Sequence, residues 1–332
     1  MTITRRTAVT SLFSAATSFA LPAAAQFPIP FKVGMSAPAN TYLAIWMADQ
    51  AGFYKANGLA YETLNMTGGA QAGPTLSSGQ IQVMHIGLSS VIRANGSGAD
   101  LRAIGSLSNV IRFTLFARPG VTNAAQLKGG VFGISSAGSE SDVTITLALE
   151  KIGLTRNDIS VKDVGSGGQR LEALRSGVIT AAALNEPYRT QAFEAGLTPI
   201  VDLVPDQTPW IFSGLVADAA YIKSSREALL KFLRATIEGN YLAITNEARG
   251  KEVLSKVLKI TDQKVLDLSY SDFRQQTPLN AEISREGALR NIALVASSRD
   301  NQSLEDYCDF SFAEELRREG FVTAMQTKYG VK

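Results

Sequence analysis

The segment from Ser135 to Ser141 has the composition of an anion-binding loop. It has the sequence Ser-Ser-Ala-Gly-Ser-Glu-Ser and lies between an apolar strand pattern and a helical pattern. Hydroxyl groups and the unpaired amides at the start of a helix bind carboxylate, sulfonate or phosphate groups. We therefore predict Ser136, Gly138 and Ser139 as ligand-binding residues. The alternative is an ordinary serine cap, which any helix can use.

Asn185 and Glu186 lie directly before Pro187, where an apolar strand pattern ends. Proline biases the residue before it toward an extended conformation. A carboxylate there could accept hydrogen bonds from an amine or amidine-like edge of a ligand. The alternative is a solvated or ion-paired glutamate, because glutamate is rarely buried without a partner. If Glu186 and the serine segment both contact the ligand, a zwitterion or an amino-substituted heterocycle with an acidic group fits best.

A further set of predicted ligand-binding residues lies in the first half of the chain and in one later loop. These residues are Asn40, Thr41, Tyr42, Ser89, Ser90 and Trp210. Asn40 and Thr41 could equally cap the helix that follows them. Tyr42 and Trp210 could stack on a planar ligand, and the alternative for each is a place in the core.

The chain has one histidine and one cysteine. His85 lies in an apolar strand pattern without a second histidine or a cysteine partner, which favours a neutral, packed imidazole over a functional one. Because Cys308 is the only cysteine, an internal disulfide and a cysteine-based zinc site are excluded. We predict that the Cys308 side chain is small, buried and without a chemical role. We predict no catalytic residues, no metal and no cofactor.

The candidate residues belong to a strand-helix-strand unit that occurs twice. Three glycine pairs mark its register, at separations of 99, 99 and 98 residues: Gly34 and Gly133, Gly69 and Gly168, and Gly79 and Gly177. A solenoid would have a shorter repeat and more copies. In open parallel sheets, ligands bind beyond the carboxyl ends of the strands. The repeat therefore predicts two similar α/β lobes with a ligand cleft between them.

Local patterns predict the elements of both copies. In the first copy they are a strand at 31–36, a helix that starts at Asn40 or Thr41, a strand at 61–66, a helix at 71–78 and a strand at 83–86. In the second copy they are a strand at 131–135, a helix at 141–151, a strand at 159–164, a helix at 169–176 and a strand at 181–184. The alternation predicts mainly parallel sheets.

The predicted second lobe is an insertion in the first. Residues 26–113 and 215–332 form lobe 1, with a helical C-terminal portion, and residues 114–214 form lobe 2. The predicted hinge consists of the crossing segments 113–116 and 212–214. A chain of 332 residues with 45% hydrophobic composition is large enough for two such lobes. We predict a monomer.

Residues 1–25 have the composition of a signal peptide. Arg5 and Arg6 precede a short apolar run and an alanine-rich end. The arginine pair resembles a twin-arginine signal, but the residues after it match poorly, so the general secretory route stays open. Neither this apolar run nor any later segment is long enough to span a bilayer. Removal of this segment would change the formal net charge from +2 to 0, which gives no support for nucleic-acid or membrane-surface binding.

Four segments carry a resemblance to a known family. In chain order they are VGMSAPANTYLAIWMADQAGFYKANGL, SSGQIQVMHIGLSS, LKGGVFGISSAGSES and LRSGVITAAALNEPY. They resemble periplasmic solute-binding proteins of ABC importers, specifically the SsuA/THI5-like (NMT1) family for sulfonates, taurine, nitrate and thiamine precursors. The resemblance implies a type II periplasmic binding protein fold that closes on a small polar or aromatic solute and delivers it to an inner-membrane permease.

The resemblance also leaves alternatives. The first is an enzyme of thiamine-pyrimidine or related cofactor biosynthesis on the same fold, although this chain lacks the cysteine-rich motif of the yeast-type enzymes. The second is an exported sensory module that reports its ligand to a membrane receptor. The first-lobe loops contain no arginine that is well placed for a sulfonate, so the resemblance does not identify the solute.

Overall fold

A computed structural model describes residues 27–35, 38–66, 71–296 and 303–331. Within these ranges the chain forms two mixed five-stranded sheets that are flanked by helices. The predicted signal peptide and the first-copy pair Gly68 and Gly69 lie outside the described residues.

Five strands form the first sheet. They are β1 (Ile29–Met35), β2 (Leu59–Asn65), β3 (Val83–Ile86), β4 (Leu101–Val110) and β10 (Pro209–Asp218), in the order β2-β1-β3-β10-β4. Strand β1 pairs in parallel with β2 and β3, whereas β10 pairs antiparallel with β3 and β4. Four strands therefore share one direction. All four residues of β3 are buried, as expected for a parallel strand covered on both faces.

The second sheet repeats this arrangement. Its strands are β5 (Thr114–Ala117), β6 (Val131–Ile134), β7 (Ser160–Asp163), β8 (Ala181–Leu184) and β9 (Thr198–Asp202), in the order β7-β6-β8-β5-β9. Strand β6 pairs in parallel with β7 and β8, and β5 pairs antiparallel with β8 and β9. The sequence repeat is thus a repeat of topology, and the predicted fold class is confirmed.

Helices cover both sheets. The helices of the two copies are α1 (Leu43–Gln50), α2 (Phe53–Ala56), α3 (Ala72–Ser77), α4 (Leu88–Gly96), α5 (Glu140–Lys151), α6 (Gly167–Arg175) and α7 (Tyr188–Glu194). The C-terminal helices are α8 (Ala219–Ser224), α9 (Arg226–Thr245), α10 (Glu247–Leu258), α11 (Gln263–Gln276), α12 (Arg285–Val295), α13 (Ser311–Arg318) and α14 (Phe321–Tyr329). None of the helices in the described ranges is both long and apolar enough to cross a membrane.

Two segments connect the lobes. The chain leaves the first sheet at the end of β4 and enters the second sheet at Thr114. It returns to the first sheet through the segment between the end of β9 and the start of β10. Of the predicted hinge, residues 212–214 lie inside β10, where Ser213 and Gly214 pair with β4, and residues 114–116 lie inside β5. We therefore propose 111–113 and 203–208 as the crossing segments. The rings of Phe113 and Phe212 pack edge to face beside them, with centroids 5.0 Å apart.

The long helix α9 packs closely against α1 at Gly239. A Cβ atom at this position would overlap the carbonyl oxygen of Ala44 and would lie 2.7 Å from the backbone nitrogen of Ala48. These neighbours are backbone atoms, so they cannot move aside as a flexible side chain can. Only glycine fits this helix crossing.

We expect Gly239→Ala to lower the free energy of unfolding by about 1–3 kcal/mol, because overpacking forces the two helices apart. The control is Gly96→Ala, at the exposed end of α4, where a Cβ atom meets no other atom within 4 Å. Urea denaturation followed by circular dichroism measures both changes. Equal stability of the two variants would contradict the close packing of α9 on α1.

Candidate ligand-binding site

A cavity lies between the two sheets, at the carboxyl ends of their parallel strands. Most of the residues that line it follow β1, β3, β6, β7 or β8 along the chain, where open α/β sheets bind ligands. The cavity has a volume of about 80 Å³, which is about the liquid volume of three waters. A cavity of this size fits a small solute.

The structure brings some of the predicted ligand-binding residues to this cavity. Five line it: Thr41, Tyr42, Ser90, Ser139 and Asn185. Six others do not line it: Asn40, Ser89, Ser136, Gly138, Glu186 and Trp210. The strand ends therefore locate the cavity, while the contacts of individual side chains decide which of them face it.

Tyr42 and His85 form one wall of the cavity. Their rings lie 3.8 Å apart between centroids, and the Tyr42 hydroxyl donates to the carbonyl oxygen of His85 at 3.1 Å. His85 Nε2 is 2.8 Å from Ser213 Oγ. Burial lowers the pKa of His85 to about 3. The imidazole is therefore neutral and packed, as predicted, and it also lines the cavity.

The serine segment at the start of α5 forms the opposite wall. Ser139 caps α5 by accepting from the Asp142 amide, and its Oγ is 2.9 Å from Ser141 Oγ. The Ser135 amide donates to Ser141 Oγ at 2.9 Å. Ser139 is thus both a helix cap and a cavity residue. The two alternatives that the sequence leaves open for this serine are compatible.

Ser136 and Gly138 lie beside this wall. Ser136 Oγ is buried and makes no hydrogen bond within the described part of the chain. Gly138 has a φ of +74°, and a Cβ atom there would overlap the side chain of Arg93 on α4. Gly138 therefore allows the two lobes to approach each other closely.

Glu140, the first residue of α5, is the carboxylate of the cavity. Its Oε1 accepts from the Ser89 amide at 2.9 Å, and its Oε2 accepts from Trp210 Nε1 at 2.5 Å. Burial raises the pKa of Glu140 to about 7, although the hydrogen bonds from Trp210 and Ser89 lower it. Ser89 and Trp210 thus contact Glu140, and Trp210 is otherwise packed in the core.

Arg170 is the cation of the cavity, and it is not among the residues predicted from the sequence. It lies on α6, and only 2% of it is exposed. Its Nη1 donates to the Gly165 carbonyl at 2.6 Å and its Nε to the Ala183 carbonyl at 3.3 Å. Among the described residues its guanidinium has no carboxylate partner. Burial lowers its pKa to about 10, so the group remains charged at neutral pH.

The signal that could have found Arg170 is its place in the repeat. It follows the second-copy pair Gly167 and Gly168, which begins a helix at the cleft. The ring of Tyr188 packs over both glycines and lines the same cavity. Arg170 belongs to the second lobe and not to the first-lobe loops, which contain no well-placed arginine.

Glu186 has its own protein partners. It is 4% exposed and accepts from Thr190 Oγ1 at 2.9 Å and from the Thr190 amide at 3.3 Å. Arg189 Nη1 lies 3.5 Å from the same carboxylate. Its neighbour Asn185 lines the cavity. The structure therefore places Asn185 in the cavity wall and Glu186 beside it.

Asn40 binds the C-terminal helices. Its amide group donates to the Ser269 carbonyl at 2.8 Å and to Asp272 Oδ2 at 2.7 Å. Asp272 is also the ion-pair partner of the buried Arg112, at the crossing between β4 and β5. Neither Asn40 nor Thr41 caps α1 through its side chain. The cap predicted at this position is wrong because the Asn40 amide is held by α11.

The site can therefore bind and orient a small anionic group. An uncompensated buried guanidinium favours an anion, because a buried charge is costly unless it is paired. The hydroxyl groups around it and the amide of Asn185 supply neutral hydrogen bonds. Cys308 does not line the cavity; it is packed in the core, and burial raises the pKa of its thiol to about 12.

Comparisons with known proteins agree with this architecture. Residues 40–249 match a family model described as NMT1/THI5 like. No curated protein sequence matches the chain. A structure of a Bordetella bronchiseptica RB50 protein superposes with a TM-score of 0.77 at 20% identity, covering 87% of this chain and 97% of that one.

Two other similar structures are of proteins named for the anions that they bind. The alkanesulfonate-binding protein SsuA from Xanthomonas axonopodis pv. citri, bound to MOPS, has a TM-score of 0.68 at 16% identity, covering 80% of this chain and 91% of that one. The periplasmic nitrate-binding protein NrtA from Synechocystis PCC 6803 has a TM-score of 0.67 at 16% identity, covering 88% and 89%. At these identities the similarity establishes the fold.

Proposed function

This chain belongs to the NMT1/THI5-like family, and we propose that it is the substrate-binding component of an ABC importer. In this role it captures a small solute between its lobes and presents the closed form to an inner-membrane permease. Binding shifts the equilibrium between open and closed forms, because the solute contacts both lobes only when they are closed.

The observation that carries this proposal is the composition of the cavity wall. Residues after β1 and β3 of one lobe and after β6, β7 and β8 of the other line a single cavity. A solute there touches both lobes at once. A binding protein that works by closing requires this arrangement.

We further propose that the solute carries an acid group. Arg170 is the buried cation that would hold it, in the fork geometry that suits a sulfonate, carboxylate or nitrate. The hydroxyls of Ser139 and Ser90 would contact its other oxygens. Relatives of the same fold are described as binding an alkanesulfonate and nitrate, and both anions have the chemistry that Arg170 favours.

The same proposal includes export of the protein to the periplasm, delivery of the solute to an inner-membrane permease, and a monomeric state. The predicted signal peptide and the periplasmic relatives support export. Retention of the natural solute during gentle purification from the periplasm, followed by native mass spectrometry, would identify it.

The experiment that tests the proposal is a titration with small anions. We expect at least one of nitrate, ethanesulfonate, taurine and acetate to bind in calorimetry and to lower the radius of gyration in small-angle X-ray scattering. An uncharged alcohol of similar size is the control and should do neither. If no anion changes the radius of gyration, or if the alcohol binds as well, the proposal is wrong.

The enzymatic alternative makes a different prediction for the same samples. An enzyme of thiamine-pyrimidine biosynthesis would consume a bound compound, whereas a binding protein returns it unchanged. Cys308, the only cysteine of the chain, is buried away from the cavity and supplies no thiolate to it. Mass spectrometry of each compound after prolonged incubation distinguishes the two functions.

A further inference from the structure

Glu140 connects the two lobes in the closed form. It begins α5 in the second lobe, and its Oε1 accepts from the Ser89 amide in the first turn of α4, in the first lobe. Its other donor, Trp210, lies at the start of β10 and packs its side chain in the core of the second lobe. The hydrogen bond from Ser89 therefore crosses the cleft. Separation of the lobes would break it.

The closed form also removes Glu140 from water. The residue is 8% exposed, and it lies against Gly87, where a Cβ atom would overlap its Cγ, Cδ and Oε1 atoms. A carboxylate in such a place loses its hydration, and among the described residues its hydrogen bonds come from Ser89 and Trp210. In an open form, water would surround it again.

We infer that closure of the lobes captures one proton on Glu140 together with the solute. The inference rests on the proposed function, because it assigns a further property to the same closing site. A protonated carboxyl beside an anionic solute can donate a hydrogen bond, whereas a carboxylate there would repel the anion. The site would thus take up an anion and a proton together.

The charged and titratable groups around Glu140 have other partners or other roles. Arg170, Tyr188 and His85 line the same cavity from α6, α7 and β3. Arg93 of α4 lies against Gly138, and Asp142 of α5 pairs with Arg156 at 2.7 Å. Within the described residues, none of them forms a hydrogen bond or ion pair with Glu140.

The direction of the pH effect follows from the two states of Glu140. Burial raises its pKa from 4.5 to about 7 in the closed form, and exposure returns it to its ordinary range in the open form. The closed form therefore holds the proton more tightly. Closure is favoured as the pH falls below about 7, and the ratio of closed to open forms changes by at most about tenfold per pH unit.

The test measures closure without a solute, so that its result does not depend on finding one. The radius of gyration of the ligand-free protein is followed by small-angle X-ray scattering from pH 4.5 to 8.5. We expect the wild type to become more compact as the pH falls. We expect Glu140→Gln, which mimics the protonated form, to show no pH dependence. Glu150→Gln, an exposed glutamate on the same helix, is the matched control and should follow the wild type.

Trp210→Phe provides a second variant if Glu140→Gln does not fold. It removes a donor that lowers the pKa of Glu140, so the midpoint of the transition should move to higher pH. A radius of gyration that is constant in the wild type, or an identical profile in Glu140→Gln, would overturn the inference. Failure of every anion to close the lobes would instead overturn the proposed function and leave this profile unaffected.

Discussion

Arg170→Ala is expected to weaken the binding of an anion that closes the lobes, such as ethanesulfonate, by more than about 100-fold. Arg170 is the buried guanidinium that lines the cavity without a carboxylate partner in the described part of the chain. Its removal leaves the acid group of the solute without its charge partner in a poorly hydrated site. Isothermal titration calorimetry measures the affinity directly.

Two further variants separate binding from folding. Arg170→Lys keeps the charge but loses the fork of donors, so we expect an intermediate loss. Arg175→Ala, at an exposed position on the same helix, removes an arginine whose nearest acidic partner, Glu172, is 3.9 Å away; its affinity should equal that of the wild type. Because Arg170 also donates to two carbonyl oxygens, circular dichroism must show that each variant is folded. Wild-type affinity in folded Arg170→Ala would remove the residue from the site.

Gly87→Ala is expected to prevent closure and to weaken binding of the same anion by about 100-fold, the upper range for an overpacked contact. A Cβ atom at Gly87 would overlap three atoms of the Glu140 side chain in the closed form. Its backbone has a φ of −77° and a ψ of 160°, which alanine adopts without strain. The change should therefore leave each lobe folded and act only on the approach of one lobe to the other.

Small-angle X-ray scattering with saturating anion should show that Gly87→Ala keeps the radius of gyration of the open form. Gly96→Ala, on the same helix in open space, should close normally. Adding Glu140→Ala to Gly87→Ala removes the overlapping atoms and should restore part of the closure, which a double-mutant cycle quantifies. Normal closure of Gly87→Ala would show that this contact does not limit the closed form.

The elements of the two copies could be predicted because their signals are local. The apolar run Val83–Ile86 and its counterpart Ala181–Leu184 have the composition of strands buried on both faces, and both are central strands of their sheets. Gly79 and Gly177 end their helices with φ values of +72° and +73°, as glycines at this position commonly do. Such patterns need no knowledge of distant residues.

The site was less predictable because its contacts are long-range. Glu140 meets Ser89 across 51 residues of sequence and Trp210 across 70. Trp210 has the sequence features of a stacking aromatic, but its indole donates to Glu140. Asn40 has the sequence features of a helix cap or a ligand contact. Its amide instead donates to Asp272, which is 232 residues away in the chain.

The sequence by itself therefore determined the duplicated α/β unit, the three strands of each copy in their order, and the strand ends at which a ligand would bind; it did not indicate β4 and β9. Periodicity, turn residues and repeat spacing are properties of neighbouring residues, and they act before any distant contact forms. Only the tertiary structure decided that Arg170 is the cation and Glu140 the carboxyl of the cavity. The pKa values of both groups depend on their burial and on the partners next to them. Burial and partners in turn depend on distant segments that folding brings together.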